Sequence, residues 1–164
     1  MEPFKSYIPI IVAILVGVLL QGILILADCA PTPDKAAVEF AKAFYRIDPA
    51  MSSLLCRKNL EMGEGRVVEN YIQEVTQEAR DRGFGLNNMK YTLYHIETET
   101  RRISDTTAEV NLTATRRVSI NPLYALVAKF FLIGETYQVN ELMTVVKEDG
   151  RWKVCGNPFA FIKI

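Results

Sequence analysis

The sequence predicts an α+β protein in which an N-terminal transmembrane helix is followed by helices packed on an antiparallel sheet. Three observations lead to this class: an uncharged run over residues 7–27, helical spacing of apolar residues over 33–82, and strand-like alternation over 90–155. Helices that precede a run of strands are typical of folds in which the helices cover one sheet face. A length of 164 residues is enough for one such domain beside the membrane segment.

The N-terminal run from Tyr7 to Ala27 carries no charged side chain. As a helix of roughly 20 residues it is about 31 Å long, which matches a bilayer hydrocarbon core of about 30 Å. The run exceeds the 7–15 apolar residues usual in a signal peptide, which favours a retained anchor. Cleavage stays open, because Leu26-Ala27-Asp28-Cys29 is similar to a bacterial lipobox, in which Cys29 is lipidated. Asp28 departs from that pattern, which has a small residue before the cysteine.

The charges that flank this run predict its orientation. Lys5 precedes it, whereas Asp28 follows it and the first basic residue beyond is Lys35. The positive-inside rule therefore places the N-terminus in the cytoplasm. We expect a single-pass protein of the bacterial inner membrane, or alternatively a lipoprotein. Its parts are a tail and transmembrane helix over 1–28, a short linker over 29–33, and a periplasmic domain over 34–164.

Three helices are predicted at the start of the outer domain. Thr32-Pro33 is typical of a helix start, with threonine as N-cap and proline in the first turn. Asp48-Pro49 repeats this signal for a second, short helix, and a third spans about 66–82. The apolar residues that define these helices are Val38, Ala41, Phe44 and Tyr45 in the first, Met51, Leu54 and Leu55 in the second, and Tyr71, Ile72, Val75 and Ala79 in the third.

Strands follow from about residue 90. The segments 90–103, 108–115, 137–146 and 151–155 are rich in β-formers or alternate apolar with polar residues. Residues 104–107 are expected to turn. Asp149-Gly150 is a strong signal for a two-residue hairpin, which sets Val145 opposite Val154 and Lys147 opposite Trp152.

The segments DKAAVEFAKAFYRIDPA and VVKEDGRWKVCG, with the long strands between them, resemble the nuclear-transport-factor-2-like (cystatin-like) superfamily over residues 34–157. This resemblance implies a curved sheet that wraps the helices into a cone. The tethered architecture is also similar to mammalian-cell-entry-associated proteins and to the inner-membrane assembly subunit of type IV secretion. Those relatives imply a scaffold or accessory role without catalysis.

Residues suited to catalysis or metal binding are few. His95 is the single histidine, and strand alternation puts it on one face with Tyr91, Leu93 and Glu97, so that Glu97 is the candidate partner for a general base. A histidine that bonds locally in a half-buried strand is the favoured interpretation. The three cysteines show no metal-ligand spacing, and no phosphate loop or nucleophile motif occurs. The sequence predicts no catalytic residue, no metal and no cofactor.

Two arginine pairs lie on strands predicted to be neighbours, Arg101-Arg102 and Arg116-Arg117. A turn at Asp105-Thr106 sets Arg102 opposite Glu109 and Arg116 opposite His95. Such a cluster suits an acidic partner or lipid headgroups. Exposed ion pairs across the strands are the favoured alternative.

The segment Leu123–Ile133, LYALVAKFFLI, carries one charge, Lys129, although it lies between two predicted strands. It is either part of the core or an exposed patch for a partner or membrane surface, and we expect an interaction element. Its candidate contact residues are Leu123, Tyr124, Leu126, Val127, Phe130 and Phe131.

Three cysteines in a periplasmic domain suggest one pair and one remaining thiol. Cys56 and Cys155 both lie in the folded part and are the natural disulfide, with two buried thiols as the alternative. Cys29 lies at the membrane exit and is a weak candidate for lipidation.

The function predicted from these features is that of a non-catalytic, membrane-anchored accessory or scaffold subunit of a membrane protein complex. The expected partners are the lipid bilayer and other membrane-protein subunits. Nucleic acid is not expected, because 19 basic and 19 acidic residues leave no basic excess. The alternative is a pocket protein that binds or converts a small apolar ligand inside the cone.

Overall fold

The computed structural model describes residues 4–28, 30–62, 65–83, 85–118, 136–157 and 159, with the side chains of the first helix described over 9–23. The chain divides into two compact units, Met1–Pro31 and Thr32–Ile164.

The first unit contains helix α1, Phe4–Asp28. The helical conformation predicted for residues 7–27 is therefore confirmed. Within the residues that the structure describes, no helix is both long enough and apolar enough to cross a membrane.

Helix α2, Pro33–Tyr45, opens the second unit at the predicted position. Thr32 takes the extended N-cap conformation, but its hydroxyl makes no capping hydrogen bond. Pro33 fits the first turn because an N–H there has no partner within the helix. The buried residues of α2 share one face, at helical spacing: Pro33, Ala36, Ala37, Phe40, Ala41, Phe44 and Tyr45.

The C-terminus of α2 is closed by a left-handed residue, Ile47, with φ of 54°. The N–H of Asp48 donates to the Ala43 carbonyl and the N–H of Ile47 to the Phe44 carbonyl, both at 2.9 Å. This pair of hydrogen bonds forms a Schellman motif, in which glycine is usual at the left-handed position. Ile47 is instead only 6% exposed, so burial of its side chain offsets the cost of the backbone conformation.

The predicted second helix is a 3-10 helix, Pro49–Leu54, in which the Asp48 carboxylate accepts a hydrogen bond from the Ala50 N–H at 2.9 Å. Helix α3, Arg57–Met62, follows and is not predicted from the sequence. Helix α4, Val67–Asp81, is the predicted third helix. Its buried residues are Val68, Tyr71, Val75 and Ala79. A further short 3-10 helix, Leu86–Met89, leads into the sheet.

The sheet has four antiparallel strands in the order β1-β2-β3-β4. They are β1 Tyr91–Arg102, β2 Thr107–Val118, β3 Thr136–Glu148 and β4 Arg151–Cys155. Each strand pairs with its neighbour in sequence. The predicted α+β class, with helices on an antiparallel meander, is confirmed.

Alternation along β2 gives the sheet two different faces. Ala108, Val110, Leu112 and Ala114 are buried, and the residues between them are only half-buried. We call the face that carries these four residues the inner face and the opposite one the outer face. The inner face belongs to the same hydrophobic core as the buried residues of α2 and α4, so the core lies between helices and sheet.

The predicted β1–β2 register is wrong for two reasons. The turn is centred on Asp105 and not between Asp105 and Thr106, since Arg102 pairs with Ala108 and Arg101 with Glu109. Farther from the turn, β1 also contains a bulge. Tyr94 pairs with Thr115 but Glu97 with Thr113, so that His95 and Ile96 together face Ala114. Two residues opposite one define a β-bulge. Its first residue, His95, has φ of 48°, a left-handed conformation in which histidine is tolerated better than most residues.

The β3–β4 hairpin is confirmed residue by residue. Val145 pairs with Val154 and Lys147 with Trp152. Asp149 and Gly150 have φ values of 50° and 78°. Positive φ at both central residues is what a type I′ turn requires.

Candidate functional site

The predicted interaction residues Leu123, Tyr124, Leu126, Val127, Phe130 and Phe131 lie outside the described residues, as does the lipidation candidate Cys29. The contact role of this segment therefore stays a prediction.

His95 and Glu97 are not brought together on one face. The bulge interrupts the alternation, because Leu93 pairs with Arg116 on the inner face whereas Glu97 pairs with Thr113 on the outer face. His95 itself is exposed. The expected pairing of His95 with Glu97 is wrong, and the cause is the extra residue in β1.

The four arginines do not form one surface. Arg102 pairs with Ala108 and Arg116 with Leu93, which are inner-face positions, while Arg101 and Arg117 belong to the outer face. The predicted pairs Arg102–Glu109 and Arg116–His95 are therefore wrong. Arg101 is the residue opposite Glu109, and its Nε lies 3.7 Å from a Glu109 carboxylate oxygen. This exposed ion pair matches the favoured interpretation of these residues.

Cys56 and Cys155 lie at disulfide distance, with their Cα atoms 5.3 Å apart and 99 positions apart in sequence. The Cys56 N–H donates to the Val154 carbonyl at 2.9 Å, and Leu55 bridges to Val154. The segment before α3 is thereby held beside β4. The predicted pairing is thus supported by the geometry.

Glu148 lies beside this cysteine pair. Within the described part of the chain, one group of side chains has the atoms that could bind a metal ion close together. It consists of Cys56, Glu148 and Cys155, with one ligand atom from each within 4.8 Å of the others. The sulfur atoms are joined in the disulfide, and one Glu148 oxygen accepts a hydrogen bond from the Arg57 N–H at 3.1 Å. Sequence spacing does not predict this group, because Cys56 precedes α3 whereas Glu148 and Cys155 belong to β3 and β4.

A cluster of polar and aromatic side chains occupies the inner face where β2 and β3 approach residues 118 and 136. We call it the inner-face cluster, and it consists of Tyr45, Tyr91, Arg116, Tyr137 and Glu141. Arg116 lies directly across from Tyr137 on β3 and from Leu93 on β1. Residues at such paired positions on one face are near enough for direct side-chain contact.

Arg116 lies between two aromatic rings. Its guanidinium carbon is 4.9 Å from the centroid of the Tyr91 ring and 5.4 Å from that of the Tyr137 ring. Each cation–π contact contributes about 0.5–2 kcal/mol, depending on desolvation. The Nε atom is buried and has no hydrogen-bond partner among the residues that the structure describes. A buried donor without a partner costs about 1–3 kcal/mol, so part of the stabilisation by the rings is lost.

Glu141 and Tyr45 form the other end of the cluster. The Tyr45 hydroxyl donates to Oε1 of Glu141 at 3.3 Å. Burial raises the pKa of the Glu141 carboxyl, while the hydrogen bond from Tyr45 and the Arg116 charge act in the opposite direction. Burial also raises the pKa of Tyr45, and the Glu141 charge adds to this effect. Ala114 and Val139, both buried, lie between Glu141 and Arg116 along the paired strands.

An aromatic group beneath the cluster anchors α2 and α4 to each other. The rings of Phe44 and Tyr71 stack with their centroids 4.9 Å apart. The centroid of the Phe159 ring lies 5.2 Å from that of Tyr71. The Tyr71 hydroxyl donates to the Phe44 carbonyl at 3.4 Å. Burial raises the pKa of Tyr71. This phenol therefore acts as a structural donor.

Of the inner-face cluster, only Arg116 is predicted from the sequence as a candidate binding residue, and Tyr91 is named only as a neighbour of His95. The signal for Arg116 is present, since continuing the alternation of residues 108–114 by one step reaches position 116. The signal for Glu141 is a charged residue between Val139 and Met143 on a face that is otherwise apolar. Tyr45 is recognised only as a core residue of α2.

The chain is similar in structure to a protein whose structure has been solved. No family model and no curated protein matches the chain. Among solved structures, an NTF-2 like protein of unknown function from Shewanella oneidensis MR-1 is similar at 14% identity and a TM-score of 0.42, over 75% of this chain and 94% of that one.

Proposed function

We propose that this chain is a membrane-anchored accessory subunit, in which α1 is embedded in a bilayer and the α+β unit provides a binding surface on the periplasmic side. The observation that carries the proposal is the exposure of apolar side chains all around α1. Successive residues of a helix point about 100° apart, so a run of exposed apolar neighbours covers its whole circumference. More than half of each of the following side chains is exposed: Ile10, Ile11, Val12, Ile14, Leu15, Val16, Val18, Leu19, Leu20 and Ile23.

A helix that is apolar on all sides requires an apolar environment. Full removal of one such side chain from water is favourable by about 1.5–3 kcal/mol of free energy. The described side chains of α1 cover residues 9–23, and the uncharged sequence continues on both sides to Tyr7 and Ala27. Lipid is the partner we propose for this helix, and the charge difference between Lys5 and Asp28 supports a cytoplasmic N-terminus.

The accessory role is proposed on the predicted interaction segment Leu123–Ile133. In a subunit of this kind the segment docks on another membrane protein, and its apolar side chains supply binding free energy beyond the cost of association. The resemblance to mammalian-cell-entry-associated proteins and to the assembly subunit of type IV secretion, which was noted from the sequence, is consistent with this role. That resemblance is itself a prediction.

The experiment that tests the accessory role compares wild-type protein with the double variant Phe130→Ser/Phe131→Ser. We expect a partner that co-purifies from mild detergent to be lost in the variant, while the melting temperature of the protein changes by only a few degrees. The variant Leu142→Ser is the control, because Leu142 is an exposed apolar residue of the outer face, at 63%, and it should retain the partner.

A large drop in the melting temperature of the double variant would contradict the interaction role. Truncation of a buried phenylalanine typically costs about 3–5 kcal/mol, so a collapsed melt identifies the segment as core.

A second candidate function, binding of a small molecule on the inner face, is favoured by one specific observation. Arg116 is a half-buried cation, and the neighbouring residue Tyr137 is 44% exposed. A charged group at such a boundary is accessible to a ligand from solvent. Equilibrium binding of small aromatic compounds to the full-length protein tests this candidate, and complete absence of binding would contradict it.

A further inference from the structure

We propose that the inner-face cluster binds the carboxylate group of a small amphipathic ligand, with Arg116 as the residue that recognises it. This inference deepens the second candidate function by naming the chemical class of the ligand. It rests on the contacts of Arg116 and on the arrangement of the residues around it.

Arg116 has a buried donor that no described residue pairs with. Its Nε–H is buried without a partner among the described residues, and the aromatic rings on either side offer only their faces. A guanidinium has five N–H donors in a planar fork. The ring faces stabilise its charge without accepting hydrogen bonds from the in-plane donors, so an external acceptor would approach the guanidinium along its in-plane edge.

The neighbouring acid, Glu141, forms no ion pair with Arg116 among the described residues. Glu141 is near enough for the Arg116 charge to influence it, yet its carboxylate accepts from the Tyr45 hydroxyl at 3.3 Å. By contrast, Arg101 of the same sheet does form an ion pair, with Glu109 on the outer face. The Arg116 fork therefore keeps N–H donors for an anion from outside the protein, although the Glu141 charge acts on it at longer range.

The surroundings of Arg116 indicate the class of anion. The N–H fork of arginine matches the two oxygens of a carboxylate in a bidentate geometry. Tyr91, Tyr137 and Leu93 surround the guanidinium with apolar surface, which suits a carboxylate attached to an aromatic or aliphatic group. Such a molecule is either a soluble organic acid or a fatty acid from the membrane, and both present the same chemistry to Arg116.

The test is a calorimetric titration of full-length protein in nanodiscs of phosphatidylcholine with three ligands of one size. The ligands are 3-phenylpropionate, 3-phenylpropanol and 3-phenylpropylamine. We expect the carboxylate to bind at least tenfold more tightly than the alcohol, and the amine to bind most weakly. Equal affinity of carboxylate and alcohol would overturn the carboxylate assignment while leaving the pocket function intact, whereas no binding of any of the three overturns both.

Variants locate the site. Arg116→Gln should remove the preference for carboxylate over alcohol, and Arg117→Gln should retain it, because Arg117 is the next residue of the same strand and belongs to the outer face. Since Arg116→Gln also removes two cation–π contacts, Arg116→Lys serves as a second variant that keeps the charge and loses the fork. We expect Arg116→Lys to weaken carboxylate binding severalfold without abolishing it. A preference that survives Arg116→Gln, or is lost equally in Arg117→Gln, overturns the assignment.

The source of the carboxylate is separated by chain length. Affinity that rises steadily from butyrate to octanoate supports a fatty acid, and affinity that is greatest for the short aromatic acid supports a soluble organic acid. If Arg116→Gln abolishes the observed dependence of affinity on the ligand, Arg116 is supported as the residue that binds the carboxylate. If the dependence persists in this variant, that role of Arg116 is overturned.

Discussion

The pKa of Glu141 links the inner-face cluster to pH. Burial raises the pKa of this carboxyl in the folded protein, so the folded state holds the proton more tightly than the unfolded chain does. The contribution of Glu141 to stability is therefore fully present below the ordinary carboxyl pKa of about 4.3 and is lost as pH rises through the raised value.

Glu141→Gln should reveal this dependence. The amide still offers Tyr45 an acceptor but has no charge to bury, so we expect the free energy of unfolding of the variant to exceed that of wild type at pH 7 by more than at pH 4. Urea unfolding at the two pH values measures the difference. Tyr45→Phe should act in the opposite sense: it removes the hydrogen bond that lowers the Glu141 pKa, and the loss of stability with rising pH should become steeper. A difference between Glu141→Gln and wild type that is the same at both pH values contradicts this account.

Two leucines on neighbouring strands test the assignment of the sheet faces. Leu112 on β2 is fully buried, whereas Leu142 on β3 is 63% exposed. Leu112→Ala should cost about 2–5 kcal/mol through lost burial and the cavity left behind, and Leu142→Ala should stay within about 0.5 kcal/mol of wild type. Denaturant titration of both variants is the measurement. Equal costs would mean that the inner and outer faces are wrongly assigned.

At the scale of elements, the β3–β4 hairpin depends on a glycine with φ of 78°. Gly150→Ala should destabilise the protein by about 1–2 kcal/mol, the cost of a left-handed conformation for a residue with a Cβ atom. Gly85→Ala is the matched control, because Gly85 has φ of −81° and open space around it. A thermal melt in which both variants behave alike would argue against the type I′ turn.

The elements that sequence predicts well are those with a local physical cause. Asp149-Gly150 fixes the hairpin register because its two residues favour the backbone angles that the turn needs. Thr32-Pro33 marks the start of α2 for a similar reason. Helix α3, Arg57–Met62, has only six residues and little apolar periodicity, so no comparable signal precedes it.

The elements and sites that sequence predicts poorly depend on distant pairing. The His95 bulge shifts the β1–β2 register, and nothing in the local pattern of β1 indicates an extra residue. The predicted partner of Arg102 is wrong because the turn is centred on Asp105, and that of Arg116 is wrong because the bulge adds to this shift. Glu141 and Tyr45 are 96 positions apart, and only the packing of α2 on β3 brings their side chains together.

For the molecule as a whole, the Cys56–Cys155 pair joins the helical segment to the last strand. In the chain-entropy model, closing a loop of about 100 residues stabilises the fold by about 4–5 kcal/mol. Cys56→Ala/Cys155→Ala should therefore lower the free energy of unfolding substantially, and Cys29→Ala should not. Peptide mapping without reduction should recover the linked peptides. Alkylation of both thiols without prior reduction would contradict the disulfide.

The proposed function requires that α1 attaches the protein to a membrane and that the α+β unit lies in the periplasm. The most direct measurement is alkaline carbonate extraction of bacterial membranes combined with a C-terminal reporter that is active only in the periplasm. We expect the wild-type protein to stay in the membrane pellet with an active reporter. The variant Leu15→Lys/Leu19→Lys, which places two charges on α1, should move into the soluble fraction. Wild-type protein that is released by carbonate, or a reporter that is active only in the cytoplasm, would contradict the claim.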